Sequence, residues 1–401
     1  MNYKVVVLGR NYNSILGMIR AVGQSGYSPL VIMSVKVLPR KQKMNNFFKR
    51  IIGCKPIESS SKYVDKCLYY LEKEPKQLLD LLIKFKDEYD KIIVIPTDDC
   101  TASTIDIYQK QLGSKFICPN IDNLPGKIVD CMDKKYQKQL AKQSNLNIVN
   151  TWEVNIINGN YEIPLNIKYP VFTKPQLSFL GQKEFMKKCE NKKELNDLLN
   201  FVKEKKKDCK ILIEQFVTIE KEYAVLGCSY NNDVVIPGII QMIKSGNGSH
   251  RGVTLIGQVS SFDEDNDLLN NLKQMIIKIK FNGLFDIDLY ESDGKIYFNE
   301  LNLRFGASGY AITKSGVNLP QIYINKILNK KEKNNTRIDG SIFINEKVNL
   351  DDYRAGYISY KEYKENEKKS DFGLIKSSAD KRPYKSFKRM ERLIRIKKKF
   401  K

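Results

Sequence analysis

The alternation of apolar and polar positions divides the chain into elements before any chemistry is considered. Lys4–Gly9 is an apolar run, Ile15–Gly23 carries apolar residues at helical spacing, and Pro29–Met33 is a second apolar run. Strand, helix and strand in that order predict the opening of an α/β fold with an open parallel sheet. Residues 76–91 read as a helix, and Lys91-Ile-Ile-Val-Ile-Pro96 as a buried parallel strand ending in Thr97-Asp-Asp-Cys100. Polar residues at that end of a strand lie where such sheets hold ligands, and equally where a side chain caps the next helix.

Downstream the pattern changes toward α+β. A helix is predicted over about Asp133–Gln143, a short strand over Tyr169–Pro175, a polar loop over 176–186 and a charged helix over about 192–206. Strands follow at Lys210–Val217, Glu222–Ser229 and Val234–Ile243, the last continuing an antiparallel sheet. A polar loop over 244–252 precedes a helix over about 264–279, and a last core helix is expected to end near Leu328. Residues 330–336 are polar and linker-like.

The period-two pattern is sharpest at Leu284–Arg304, where two strand-like runs flank Ser292-Asp-Gly294. Antiparallel pairing across a short turn puts Asp286 and Asp288 on one face with Glu300, Asn302 and Arg304. Phe285, Ile287 and Leu289 then point the other way. Carboxylates gathered in this way need a cation, and hard oxygen ligands suit Mg²⁺, which shares itself with phosphates.

Composition narrows the field. With 401 residues and 42% hydrophobic content the chain can build two or three cores. The opening segment has too short an apolar run for a signal peptide, and no run approaches a membrane span. Eight cysteines without CxxC spacing read as reduced, mostly buried thiols of a cytoplasmic protein. A single histidine, His250, disfavours a histidine-based triad or metal site. The glycine spacing after the first strand is not GxGxxG, so a dinucleotide fingerprint is absent.

Lysine is spread through the chain, but of the net charge of +22 residues 376–401 supply +10, with twelve Lys/Arg against two acidic residues. Phe387, Met390, Leu393 and Ile394 fall at helical spacing among these cations. An amphipathic helix of this kind suits an anionic membrane surface, or docks its apolar stripe on the protein itself. Aromatics for base stacking are sparse there, so nucleic acid is the weaker partner.

The order of motifs resembles the ATP-grasp superfamily, in its carboxylate–amine ligase branch, over roughly residues 1–330. The resemblance rests on Met132-Asp-Lys-Lys135, Tyr169-Pro-Val-Phe-Thr-Lys-Pro175, Ile211-Leu-Ile-Glu-Gln-Phe-Val217 with Glu222, and Asp288 with Glu300-Leu-Asn-Leu-Arg304. It implies a pre-ATP-grasp α/β domain over 1–125 and ATP-grasp subdomains over 126–210 and 211–330, followed by a basic C-terminal extension over 331–401. Lys134 and Lys174 would meet ATP phosphates; the Asp-Lys-Lys run alone does not separate Lys134 from Lys135, and the family pattern favours Lys134. Glu214, Gln215, Phe216 and Val217 would form the adenine-reading hinge, and Glu222 would take the ribose. Asp288, Glu300 and Asn302 would be ligands of two Mg²⁺ ions, for which Mn²⁺ can substitute. Arg304, followed by Phe-Gly-Ala-Ser-Gly309, would stabilise the transferred phosphoryl group. Arg251 and His250 would meet the acceptor carboxylate, while Asp286 stays open between spectator and substrate contact.

The loop Gln176–Lys183 departs from the family's glycine-rich pattern, with one glycine. The implied activity is ATP-dependent amide formation between small carboxylate and amine substrates, with a homodimer as a further expectation. Carboxylation through the same acyl phosphate, and an ATP-binding protein working through its basic tail, remain alternatives. No biotinyl Met-Lys-Met motif is present.

Overall fold

The structure is a computed structural model that describes residues 2–10, 13–36, 38, 56–177, 183–262, 266–331, 338 and 340–399. Five strands, β1 (Tyr3–Arg10), β2 (Leu30–Val35), β3 (Lys66–Leu71), β4 (Lys91–Pro96) and β5 (Phe116–Ile117), form one sheet in the order β3-β2-β1-β4-β5. Every pairing in it is parallel. Parallel neighbours need a crossover, and α1 (Asn13–Gln24) supplies the one between β1 and β2. Its Ile15, Met18, Ile19 and Val22 pack with Val5, Val7 and Val31 in one core. At the carboxyl ends of β1 and β4 a Cβ on Gly9 would fall 2.1 Å from Thr97 Oγ1, so the two strand ends approach closely only because residue 9 is glycine.

The helix predicted over 76–91 is shorter. α2 (Lys76–Ile83) stops, and the chain turns through bonds from Phe85 N–H to Leu82 O and from Glu88 N–H to Phe85 O. The tighter turn sends Phe85 and Tyr89 toward the core under the sheet, which explains why the apolar pattern ran on past the helix. α3 (Asp99–Ile107) follows β4 directly, and Asp98 caps it by accepting from Thr101 N–H at 2.9 Å. The capping alternative is the one realised for Asp98.

After β6 (Asn120–Ile121), α4 (Lys134–Gln143) begins at an N-cap formed by Asp133. Its Gln137 side chain donates to Leu301 O at 2.8 Å and accepts from Leu301 N–H at 3.0 Å, docking the helix on a distant strand. A second, antiparallel sheet runs β7 (Thr151–Ile156), β10 (Cys209–Gln215), β8 (Val171–Pro175) and β9 (Lys187–Cys189). α5 (Lys192–Lys205) covers one face, burying Leu195, Leu198, Leu199 and Val202 against Ile211 and Ile213. Alternation turns Leu212 and Glu214 to the opposite face.

The third sheet has nine strands. Its path is β16 (Lys295–Asn302), β15 (Phe281–Ser292), β11 (Lys221–Tyr230), β13 (Ile239–Ser245), β14 (Thr254–Ser260), β17 (Ser341–Ile344) and β18 (Phe372–Gly373). β12 (Asp233–Val235) joins beside β11 and β6 beside β15. The run predicted over 234–243 is broken at Ile236-Pro-Gly238, where a Cβ on Gly238 would fall 2.2 Å from Ser260 O. β14 was not expected; Gly257, Gln258 and Ser260 interrupt its apolar pattern, and its strand character comes from pairing on both sides. α6 (Asp267–Lys278) buries Leu272, Met275 and Ile276 against Ile287 and Leu289.

α7 (Leu319–Ile327) is not the last core helix, because the segment beyond it folds back into the sheet and forms α8 (Glu346–Ala355), α9 (Tyr360–Lys368) and α10 (Lys381–Lys399). The linker expected at 330–336 falls largely outside the described residues. One buried cation anchors this extension. Arg20, 0% exposed, donates to Asp380 Oδ2 at 3.0 Å, Leu374 O at 3.0 Å, Ile375 O at 2.8 Å and Asp380 O at 3.1 Å. Asp380 also accepts from Ser61 Oγ at 2.7 Å and Lys62 N–H at 3.0 Å.

The C-terminal helix uses its apolar face on the protein itself. Phe387 is fully buried with Leu16, Leu350, Ile358, Tyr363 and Ile375, while Met390 remains exposed. The Ile394 side chain lies outside the described residues. Among the described residues no helix is long and apolar enough to cross a membrane. The seven described cysteines are free thiols; Cys54 lies outside the described residues.

Candidate functional site

The β15–β16 hairpin forms in the register that places Asp286 opposite Asn302 and Asp288 opposite Glu300. A bulge between Asp288 and Leu289 accommodates Asn299 as an extra residue and keeps both pairs on one face. Asn302 Nδ2 donates to Asp288 Oδ2 at 3.1 Å. Burial pushes the Asp288 carboxyl well above the usual carboxylate range, and Asp286 and Glu300 push it further. Burial likewise raises Asp286, against the opposing pull of Arg304. Such a cluster is poised for a positive charge.

Arg304 supplies part of it. Its Nη1 lies 3.3 Å from Asp286 Oδ2 and its Nε 3.1 Å from Asp99 Oδ1. Burial opposes the guanidinium charge, but Asp99, Asp286 and Asp288 more than offset this and raise its pKa. Asp99 opens α3 just beyond the carboxyl end of β4, so that end of the first sheet forms one wall of the site. A Cβ on Gly306 would fall 2.1 Å from Asp286 Oδ2, so glycine is what lets the chain turn so close behind that carboxylate.

Lys134, at the start of α4, is 7% exposed and donates to Glu300 Oε1. Lys135 instead is half-exposed and pairs with Glu153 at 3.3 Å, which separates two lysines the sequence alone left together. Lys174 on β8 reaches Glu214 Oε2 at 2.8 Å and Asn299 Oδ1 at 3.2 Å, linking the second sheet to the hairpin.

Lys138 was not singled out from the sequence. It is 4% exposed and its ammonium lies 2.9 Å from Glu214 Oε1, an ion pair without hydrogen-bond alignment. Its only sequence signal is the i,i+4 spacing from Lys134, which puts both on one side of α4. Burial lowers the Lys138 pKa against the pull of Glu214. Burial works against the Glu214 charge too, yet Lys174 and Lys138 hold its carboxyl below the usual range.

Gln215, Phe216 and Val217 form the half-buried crossing from the second sheet to the third. Gln215 N–H donates to Asn150 O at 2.9 Å and Phe216 N–H to Pro170 O at 3.1 Å, with the Lys188 ammonium 4.2 Å above the Phe216 ring. Glu222 on β11 stands opposite Tyr290, and burial raises its pKa. The 244–252 loop packs against the C-terminal extension. His250 Nε2 lies 3.3 Å from Asp351 Oδ2, Asn247 Nδ2 donates to Asp352 Oδ2 at 2.9 Å, and Arg251 is exposed. Residues 178–182, the core of the expected phosphate loop, lie outside the described residues.

Among the described residues no group of three or more His, Cys, Asp and Glu side chains is arranged to hold a metal ion by itself. The hairpin offers a partial shell instead. An ion held by Asp288, Glu300 and the Asn302 amide oxygen would have its remaining positions left to water and phosphate oxygens, as Mg²⁺ prefers. Asp286 Oδ1, buried without a hydrogen-bond partner, marks the same polar hollow.

Three comparisons with known proteins bear on the fold that carries this site. Residues 139–321 match the model of the ATP-grasp domain. The D-aspartate ligase of Enterococcus faecium (strain Aus0004) is 25% identical over 271 residues, covering 62% of this chain, and the chain spans only 61% of that relative. The L-amino acid ligase of Bacillus licheniformis superposes with a TM-score of 0.56 at 16% identity, over 85% of this chain and 79% of its own. The N5-carboxyaminoimidazole synthetase of Staphylococcus aureus, complexed with ADP, gives 0.60 at 12% identity, over 90% and 87%. These structural likenesses carry the fold, and within it residues 139–321 match an ATP-grasp domain.

Proposed function

We propose that the chain is an ATP-dependent carbon–nitrogen ligase joining a small carboxylate to an amine. The observation that carries this reading is the hairpin face, where Asp288 opposes Glu300 beside Asn302 and Arg304. In the proposed reaction a carboxylate oxygen attacks the γ-phosphorus of ATP, the bond to ADP breaks, and an acyl phosphate forms. The amine nitrogen then attacks the acyl carbon, loses a proton to water, and inorganic phosphate leaves. Asp288, Glu300 and Asn302 would hold Mg²⁺, which when bound would neutralise charge on the terminal phosphates.

The chain's own residues then do positioning work. Lys134 turns from Glu300 to a phosphate, Lys174 reaches another, and Arg304, held by Asp99 and Asp286, meets the charge that develops on the transferred group. The crossing at 214–217 receives the adenine, Glu222 the ribose, and Arg251 the acceptor carboxylate. The D-aspartate ligase and L-amino acid ligase named above support an amino-acid-type amine or carboxylate.

The test is phosphate release from ATP across a panel of amino acids and carboxylates. The expected result is release that requires both partners and is abolished by Glu300→Gln, with unchanged circular dichroism. Normal turnover in that variant would remove the metal assignment. Release that follows bicarbonate and ignores amines would replace amide formation by carboxylation.

A further inference from the structure

Beside the nucleotide site, on the flank of α4, lies a cavity of about 660 Å³. None of Lys134, Lys174, Asp288 and Glu300 lines it, so it is not the hairpin site seen from another angle. Its walls bring together Lys135, Lys138, Lys142 and Lys295 with Trp152 and Tyr297. Helical spacing explains the first three, since positions 135, 138 and 142 fall on one side of α4. Lys295 arrives from the hairpin tip, and Tyr297 stacks on Tyr290 with ring centres 5.6 Å apart.

The charge in this cavity is unbalanced. Glu153 is its single carboxylate, and it answers Lys135 at 3.3 Å. Lys142 and Lys295 have no ion-pair partner among the described residues. Lys138 borders the same space, with its buried ammonium paired to Glu214 at 2.9 Å. Three ammonium groups, those of Lys135, Lys142 and Lys295, share one carboxylate in this concave, partly apolar space, a balance that favours an anion.

We propose that this cavity is a binding site for a small phosphate-bearing molecule, separate from the nucleotide site and joined to it through Lys138. Phosphate groups suit lysines, which act as compact point charges that need no bidentate geometry. Tyr297 gives the rest of the ligand an aromatic surface, and Trp152 lies in the strand that borders the cavity. The joint is geometric: one carboxylate, Glu214, meets Lys138 on the cavity side and Lys174 on the hairpin side, at 2.9 and 2.8 Å. An anion that draws Lys138 away leaves Glu214 to Lys174 alone. The coupling, though not the binding, rests on the nucleotide reading of Lys174.

The chain contains a single tryptophan, and Trp152 lines the cavity, so the protein carries its own reporter. The experiment titrates the full chain with inorganic pyrophosphate at fixed ionic strength and follows Trp152 emission, with saturating Mg–ADP filling the nucleotide site. The expected result is a saturable change whose dissociation constant rises at least tenfold in the Lys142→Ala/Lys295→Ala variant. Unchanged far-ultraviolet circular dichroism guards against unfolding of that variant. No saturable change, equal affinity in the variant, or a signal removed by Mg–ADP would each overturn the proposal. The titration reads binding and not turnover, so it stands or falls apart from the ligase assignment.

Discussion

Arg20→Met removes the one guanidinium that ties α1 to the C-terminal extension while keeping much of its apolar stem. Arg20 and Asp380 are both buried, and their contact is 3.0 Å. Breaking a buried pair from one side costs about 3–5 kcal/mol, because the remaining charge stays buried. Asp380 keeps its donors from Ser61 and Lys62, which places the pair itself near the lower bound. The carbonyls of Leu374 and Ile375 lose a charged donor as well, and each adds about 0.5 kcal/mol or more. A total near 4 kcal/mol follows, large against the whole stability of a domain.

Urea unfolding followed by circular dichroism measures the loss, and limited proteolysis shows whether residues 340–399 release first. Asp380→Asn in the same background removes the stranded charge and is expected to recover at least about 1.5 kcal/mol, as neighbouring sites couple. A loss below about 1 kcal/mol, the scale of an exposed pair, would refute the reasoning. So would the absence of any recovery from Asp380→Asn.

Two further outcomes can be measured directly. Gly306→Ala introduces a methyl 2.1 Å from Asp286 Oδ2, so Asp286 must swing away from Arg304; phosphate release is expected to fall at least about tenfold with little change in thermal midpoint, and full activity would show that Arg304 needs no such anchor. For Glu367, burial raises its pKa, but Lys364 and Lys388 outweigh this and hold the folded carboxyl below its unfolded value of 4.5. The unfolded chain therefore takes up the proton first, and this contribution is present above pH 4.5 and lost as pH falls through the lower folded value. Solvent screening limits it to about 0.5 kcal/mol, and Glu367→Gln should flatten that part of the acid limb in pH-dependent urea melts.

The hairpin was legible because strand alternation is a local property. Asp286 and Asp288 share a face within their strand, as do Glu300 and Asn302 within theirs. The turn that pairs Ser292 with Lys295 would set Asp288 opposite Asn299, and the bulge at Asn299 is what brings the two sets onto one face. The strand ending at Pro96 and the helix start at Asp133 were legible for the same reason, through an apolar run and a capping side chain. Lys138 was not, since its partner Glu214 is set by how α4 docks across another sheet. The Asp99–Arg304 contact spans 205 residues and two sheets, and no local pattern announces it. β14 was hidden because Gly257 and Gln258 break its alternation while its two neighbours supply the pairing. In the C-terminal helix, spacing revealed an apolar stripe but not what covers it; Phe387 finds its partners on α1, α8 and α9.

The Arg20 anchor also sets an order of events during synthesis. The first sheet can close as soon as its strands leave the ribosome, yet Arg20 must wait for Asp380, 360 residues later, which is roughly 20–70 s at ordinary translation rates. The third sheet waits as well, since β14 keeps an open edge until β17 emerges to pair with it. The nascent chain thus carries an uncompensated cation for most of its synthesis and an unsatisfied strand edge between residues 260 and 341, and both are sealed by the same late segment.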